Sequence, residues 1–330
     1  MQKFKNLSWS GLLSVGLLFV WSCSNLEDSA PNVNMVNNLD AIPEVLKSIE
    51  NGLEEDGDIN ARKSAGATYA TFNAALGSSG LASVFARNEL TVFAPTDAAF
   101  AKLGLNPGNI RRLDNLTNIL LYHVVAGTVL STDLSEGFVP TVNGAAVEIS
   151  LSGGAKVNDA NIVMVDKRAR NGVIHGIDEV LLPPTKNIVE IADGNPDFSI
   201  LVEAVTAAGL GDLLATTNNI TVFAPNNQAF LDLLEEQEVD SLEELVTKIG
   251  GIPALQRVLA YHVFGGGRVY SSDLTNTSIR MLSEDDVTIN VAGPNLIDEN
   301  GRTSGIIGTD IQATNGVIHV INKVILPVVP

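Results

Sequence analysis

The chain says most things twice. TVFAPTDAAF at 91–100 returns as TVFAPNNQAF at 221–230, and LYHV at 121–124 returns as AYHV at 260–263. STDL at 131–134 becomes SSDL at 271–274, and NGVIH at 171–175 reappears unchanged at 315–319. The order of the blocks is kept, and the copies lie about 130 to 144 residues apart. That spacing is too long for one turn of a solenoid and suits a whole domain. Two tandem copies of one domain are therefore expected.

Composition supports two ordinary cores. Hydrophobic residues make up 45% of the 330 positions, which excludes wholesale disorder. Aromatics are only 5%, so the cores must be built mainly from Ala, Val, Ile and Leu. With 38 acidic and 20 basic residues the formal net charge is −18. Such a surface repels phosphate backbones and anionic headgroups, so no nucleic-acid partner is expected.

The amino terminus reads as an export signal. Lys3 and Lys5 precede an apolar stretch from Leu12 to Val20, which is too short for a comfortable membrane span. Val20-Trp21-Ser22-Cys23 then resembles the lipobox of bacterial lipoproteins, with Trp21 where a small residue is usual. Cys23 is the one cysteine, so the exported part has no disulfide and this thiol is the expected lipidation site. The resemblance implies an anchor at the outer membrane, and the polar, acidic residues Ser24 to Asp28 point to a surface-exposed protein. The membrane would be met only through that anchor.

Residues 1–22 are thus read as the signal peptide, and 23–56 as lipidated cysteine, tether and added helix. Residues 57–184 and 187–327 form the two domains. Apolar residues at Leu39, Ile42, Val45, Leu46, Ile49 and Leu53 have helical spacing. With no counterpart visible in the second copy, this helix either packs on the first domain or serves as a stalk. Asp56, Asp58 and Asn60 outline a calcium loop, but Ala61 and Ala67 replace its glycine and closing glutamate, so a solvated turn is expected. In each copy two helical segments precede the TVF strand, and Pro95 or Pro225 ends it. Thr96 and Asn226 are placed to cap the following helix. The remainder of each copy is rich in strands, and Thr185-Lys186 is the whole linker.

These blocks resemble the fasciclin (FAS1) domain family: TVFAP…AF, Tyr-His followed by Gly and Ser-x-Asp-Leu, and NGVIH before a Leu-Pro ending. The resemblance implies an α+β fold, two wedge-like β-sheets flanked by helices. It also implies adhesion or matrix interaction rather than catalysis. Animal members are linked to cell attachment through the Tyr-His region and an Asp-Ile pair before the last block. The matching positions are Tyr122, His123, Tyr261, His262, Asp310 and Ile311; in the first copy Asp166 is followed by Lys167 instead of Ile. These six are the candidate binding residues. An extracellular matrix protein or a polysaccharide is the expected partner.

The residues alone leave a second meaning open for the Tyr-His pairs. His123, His175, His262 and His319 all lie in apolar runs, where a buried, hydrogen-bonded imidazole fits well. Two histidines per copy, without a further cysteine or an HExxH spacing, do not make a zinc site, and no cofactor is expected. GxSxG and phosphate-loop signatures are absent, and the paired acids diverge on their helices. No enzyme is expected. The rival readings are a glycan-capturing accessory lipoprotein, weakened by a mature chain without tryptophan, and a hydrolase with an unfamiliar site.

Overall fold

The TVFAP blocks form the central strands of two sheets. The computed structural model describes residues 39–50 and 67–328. In the first domain the sheet contains β1 (Leu90–Pro95), β2 (Val124–Ala126), β3 (Gly137–Pro140), β4 (Ala146–Ser150), β5 (Lys156–Val157), β6 (Ala160–Ala169) and β7 (Gly172–Ile177). Their spatial order is β2-β1-β7-β6-β5-β4-β3. The second domain repeats it with β8 (Ile220–Pro225), β9 (Val263–Phe264), β10 (Thr277–Arg280), β11 (Asp286–Asn290), β12 (Asn295–Ile297), β13 (Thr303–Gln312) and β14 (Gly316–Ile321). β1 pairs in parallel with β7 and β8 with β14, whereas the other pairings are antiparallel. The expected α+β fold of two tandem domains is the one observed.

Both faces of β1 and β8 are buried, which explains their unbroken apolar composition. Side chains alternate across a strand. Leu90, Val92 and Ala94 therefore join a core under the helices, while Phe93 enters a second core among the strands. Ile220, Val222 and Ala224 divide from Phe223 in the same way. Thr96 and Asn226 cap the next helices as expected: each side-chain oxygen accepts from a backbone N–H, of Ala99 at 3.1 Å and of Ala229 at 2.9 Å.

The helices of the first domain are α1 (Ile42–Glu50), α2 (Ala70–Ser79), α3 (Ala82–Arg87), α4 (Asp97–Lys102) and α5 (Leu116–Tyr122). Those of the second are α6 (Ile188–Asp193), α7 (Ser199–Ala207), α8 (Gly211–Thr216), α9 (Asn227–Glu236), α10 (Leu242–Ile249) and α11 (Ile252–Ala260). One expectation needs correcting here. α1 packs on the first domain, burying Ile42, Val45 and Leu46, and it does have a counterpart, α6. The N–H of Ile42 donates to Asn171 Oδ1 at 3.0 Å, just as that of Ile188 donates to Asn315 Oδ1 at 2.9 Å.

The NGVIH block is thus a closing device. Asn171 Nδ2 donates to the carbonyls of Phe85 and Asn88, and Asn315 Nδ2 to those of Leu214 and Thr217. Each asparagine ties the first helix, the third and the last strand together. The adjacent glycine allows the strands to meet: a Cβ on Gly172 (φ +142°) would lie 1.8 Å from the carbonyl oxygen of Leu90. One on Gly316 would lie 2.3 Å from that of Ile220. The residues expected to form a signal peptide and a tether, Cys23 and the calcium-like loop lie outside the described residues.

Candidate functional site

The Tyr-His pairs occupy the end of the last helix before the sheet resumes, and both turn inward. Tyr122 is 2% exposed and His123 0%; Tyr261 is 0% and His262 3%. Tyr122 Oη donates to the carbonyl of Ala146 at 2.8 Å, and Tyr261 Oη to that of Asp286 at 2.7 Å. His123 Nδ1 meets the Ile119 carbonyl at 2.7 Å, while its Nε2 accepts from the N–H of Leu181 at 2.9 Å. His262 makes the same bonds to Val258 and Ile325. This assigns the neutral tautomer with the proton on Nδ1. Burial pushes both imidazoles down to about 4 and the Tyr261 phenol up to about 12.

These four expected contact residues are therefore corrected to core positions. Tyrosine and histidine carry an apolar body with a polar tip, and here every tip is used inside the fold.

His175 and His319 hold the opposite tautomer. Their Nε2 atoms meet the carbonyls of Val129 and Val269 at 3.0 and 2.8 Å. Their Nδ1 atoms accept from the N–H groups of Asp166 and Asp310. Burial lowers both below the ordinary imidazole range. Asp166 and Asp310 stand at left-handed backbone positions, φ 57° and 62°, where β6 and β13 break register against their neighbours. Each carboxylate accepts from the backbone N–H and hydroxyl of a serine, Ser131 or Ser271. The Asp-Ile pair and the Ser-x-Asp-Leu motif are thus two ends of one connection. Ile311 is half-buried against the helical core of the second domain, so it too contributes packing.

Asp310 nevertheless also reaches solvent, because it borders a cleft between the domains. The cleft measures about 490 Å³ and is lined by Phe138, Glu148, Asn158, Asp159, Thr309, Asp310 and Gln312. Its floor is the domain contact. Gln312 Oε1 accepts from the N–H of Ala146 at 3.0 Å and its Nε2 donates to the same residue's carbonyl at 2.9 Å. Tyr270 stacks on Phe138 with centroids 4.6 Å apart and planes 11° apart. The N–H of Phe138 donates to Ser272 Oγ at 3.4 Å. The Tyr122 hydroxyl reaches this contact from beneath through Ala146.

Chemically the cleft is rich in acceptors. Glu148, Asp159 and Asp310 supply carboxylates, and the Asn158 amide and Thr309 hydroxyl stand beside them. It can hold donor-rich groups such as ammonium, guanidinium or sugar hydroxyls. Among the described residues no cluster of three or more His, Cys, Asp or Glu is arranged to hold a metal ion.

Sequence reasoning missed Phe138, Tyr270 and Gln312. The signal was a difference between the copies: Leu130 stands where Tyr270 does, and Arg168 where Gln312 does. Repetition drew attention to the core, whereas the domain contact lies where the repeat fails.

The fasciclin domain model matches residues 67–183 and 196–327. The chain is 31% identical over 249 residues to transforming growth factor-beta-induced protein ig-h3 of Sus scrofa, covering 72% of this chain and 34% of that protein. It is 26% identical over 313 residues to periostin of Homo sapiens, covering 92% of this chain and 36% of that protein. The chain spans about a third of the length of these curated relatives. A solved FAS1 domain pair from the insect cell adhesion molecule fasciclin I aligns at 17% identity with a TM-score of 0.37, covering 79% of this chain and 96% of that one. Among the described residues no helix is long and apolar enough to cross a membrane.

Proposed function

This chain belongs to the fasciclin domain family, and from that premise we propose that it is a surface adhesion protein whose cleft between the domains holds an extracellular partner. The observation that carries this reading is the acceptor-rich cleft beside Asp310, fixed in shape by the Gln312–Ala146 clamp. A rigid cleft needs no ordering on binding, which favours affinity. Its carboxylates suit a Lys- or Arg-bearing segment of a matrix protein. Phe138 at its edge favours a second reading, a polysaccharide that lays a sugar face on the ring. No step of either reading is catalytic. Cys23 is the site through which the chain would be lipid-anchored, with both domains outside the outer membrane.

Binding of the chain to immobilised matrix proteins and polysaccharides tests the proposal. Glu148 and Asp159 are exposed, so Glu148→Gln with Asp159→Asn changes charge without disturbing the core. For a cationic protein segment the double variant is expected to weaken binding about tenfold, and added salt to weaken the parent likewise. Salt-insensitive binding to a glycan selects the polysaccharide reading. Binding unchanged by the double variant on every surface would remove the cleft from the function.

A further inference from the structure

The second domain departs from the first in its helical layer. The segment from Phe230 to Tyr261 is about nine residues longer than that from Phe100 to Tyr122, and the extra length builds α10. Between α9, α10, α11 and the C-terminal segment lies a cavity of about 700 Å³. Its walls are Phe230, Leu233, Leu245, Ile249, Val258 and Leu326. A smaller apolar cavity of about 80 Å³ adjoins it under α6, α7 and α8, and Leu259 and His262 line both.

The first domain shows how such space is filled. Asn171 bonds to the Phe85 carbonyl where Asn315 bonds to that of Leu214, so these two residues are structural equivalents. The amide caps at Asp97 and Asn227 likewise align Thr71 with Ile200, and hence Phe72 with Leu201. Phe72 and Phe85 meet edge to face at 6.4 Å, and Phe72 lies 6.2 Å from His123. In the second domain two leucines stand in place of these rings beside His262. Both nitrogens of His262 are committed to backbone partners, so it presents no free polar group to the space.

One end of the larger cavity is polar. Asn300 and Arg302 line it, and Arg302 Nη1 pairs with Glu236 at 2.7 Å. Arg302 Nε is buried without a hydrogen bond and makes only a long ion pair, at 3.7 Å, with Asp298. The guanidinium thus keeps donor capacity at the end of an apolar cavity, which the acceptor of a ligand can use. The volume falls within the range of small-molecule sites, which pair apolar walls with a few placed polar groups.

We propose that the second domain binds a long-chain fatty acid, its acyl chain lying between α9, α10 and α11 and its carboxylate meeting Arg302. The smaller cavity beside Leu201 and Leu214 takes the far end of the chain. This site is separate from the cleft between the domains and stands whether or not the cleft binds a matrix partner.

The test is titration of the purified full chain with cis-parinaric acid, a fluorescent fatty acid, and with its methyl ester. Saturable one-to-one binding in the micromolar range is expected. Leu245→Trp, which fills the cavity, is expected to abolish it. Leu214→Phe, the ring used in the first domain, is the milder variant should Leu245→Trp fail to fold, and is expected to weaken binding of cis-parinaric acid severalfold. Arg302→Gln is expected to weaken the free acid about tenfold and leave the methyl ester within twofold, since only the acid makes a charge-assisted bond. Absence of saturable binding, binding unchanged in the folded cavity-filling variant, or equal loss of acid and ester in Arg302→Gln would each overturn the proposal.

Discussion

The two domains share a sheet order, their closing asparagines and their histidine tautomers, yet they spend their helical layers differently. The first packs Phe72 against both Phe85 and His123. The second places Leu201 and Leu214 there, adds α10, and keeps open space against His262. Their outer edges differ as well. The Ala146 backbone at the start of β4 is gripped by Gln312 of the other domain, whereas its equivalent Asp286 at the start of β11 receives the N–H-accepting carboxylate of Glu299 from its own. What the copies share closes the fold; where they differ, the molecule acquires a cleft and a cavity.

The shared part is the easiest to break. Gly172→Ala forces a Cβ into the carbonyl of Leu90 at a left-handed backbone angle, and is expected to cost on the order of 4 kcal/mol or more. Gly316→Ala should do the same to the second domain. Denaturant melts of each variant, followed by probes in both domains, should show one domain lost and the other retained. Loss of both together would mean that the domains fold as a single unit.

Acid probes the shared histidines. His123 and His262 are held at about 4 in the fold by burial, against 6.5 when unfolded. The unfolded chain therefore binds protons first, and the stability of the neutral form is complete above pH 6.5. It is lost as pH falls from 6.5 through about 4, by roughly 3 kcal/mol per domain. Urea midpoints at pH 7.5, 5.5 and 4 measure this. Equal losses keep the comparison as drawn. A smaller loss in the second domain would show that the looser packing around His262 lowers the cost of charging its ring.

The smallest effect tests the domain contact. Gln312→Ala removes two hydrogen bonds to Ala146 and is expected to lower the coupling between domains by about 1 kcal/mol, separating their melting transitions. Arg168→Ala, at the equivalent exposed place in the first domain, should change stability by less than about 0.5 kcal/mol.

Much of this architecture was legible in residue patterns. β-Branched and aromatic composition revealed the TVF strands, and a polar residue after Pro95 and Pro225 revealed the helix caps. α1 was recognised as a helix but not as a repeat, because its equivalence to α6 rests on N–H bonds from Ile42 and Ile188 to Asn171 and Asn315 that span more than a hundred residues. Local periodicity carries no trace of such a bond. The Tyr-His pairs were expected as contacts from the family resemblance, while their apolar runs already suited buried rings, and their burial decides for the core. Asp310 was found for one reason and matters for another: its carboxylate anchors Ser271, and only its place beside Gln312 brings it to the cleft.

The pairing of β1 with β7 has a consequence for the order of events as the chain is made. Leu90 must wait for Gly172, some eighty residues later, before the centre of the sheet can zip, and Ile42 waits still longer for Asn171. Closing so large a loop is unfavourable until the contacts it permits are available. Each domain thus remains open throughout its own synthesis and locks only when its final block arrives. The first can lock while the second is still being translated, so the nascent chain passes through a half-closed stage in which β8 is exposed without β14.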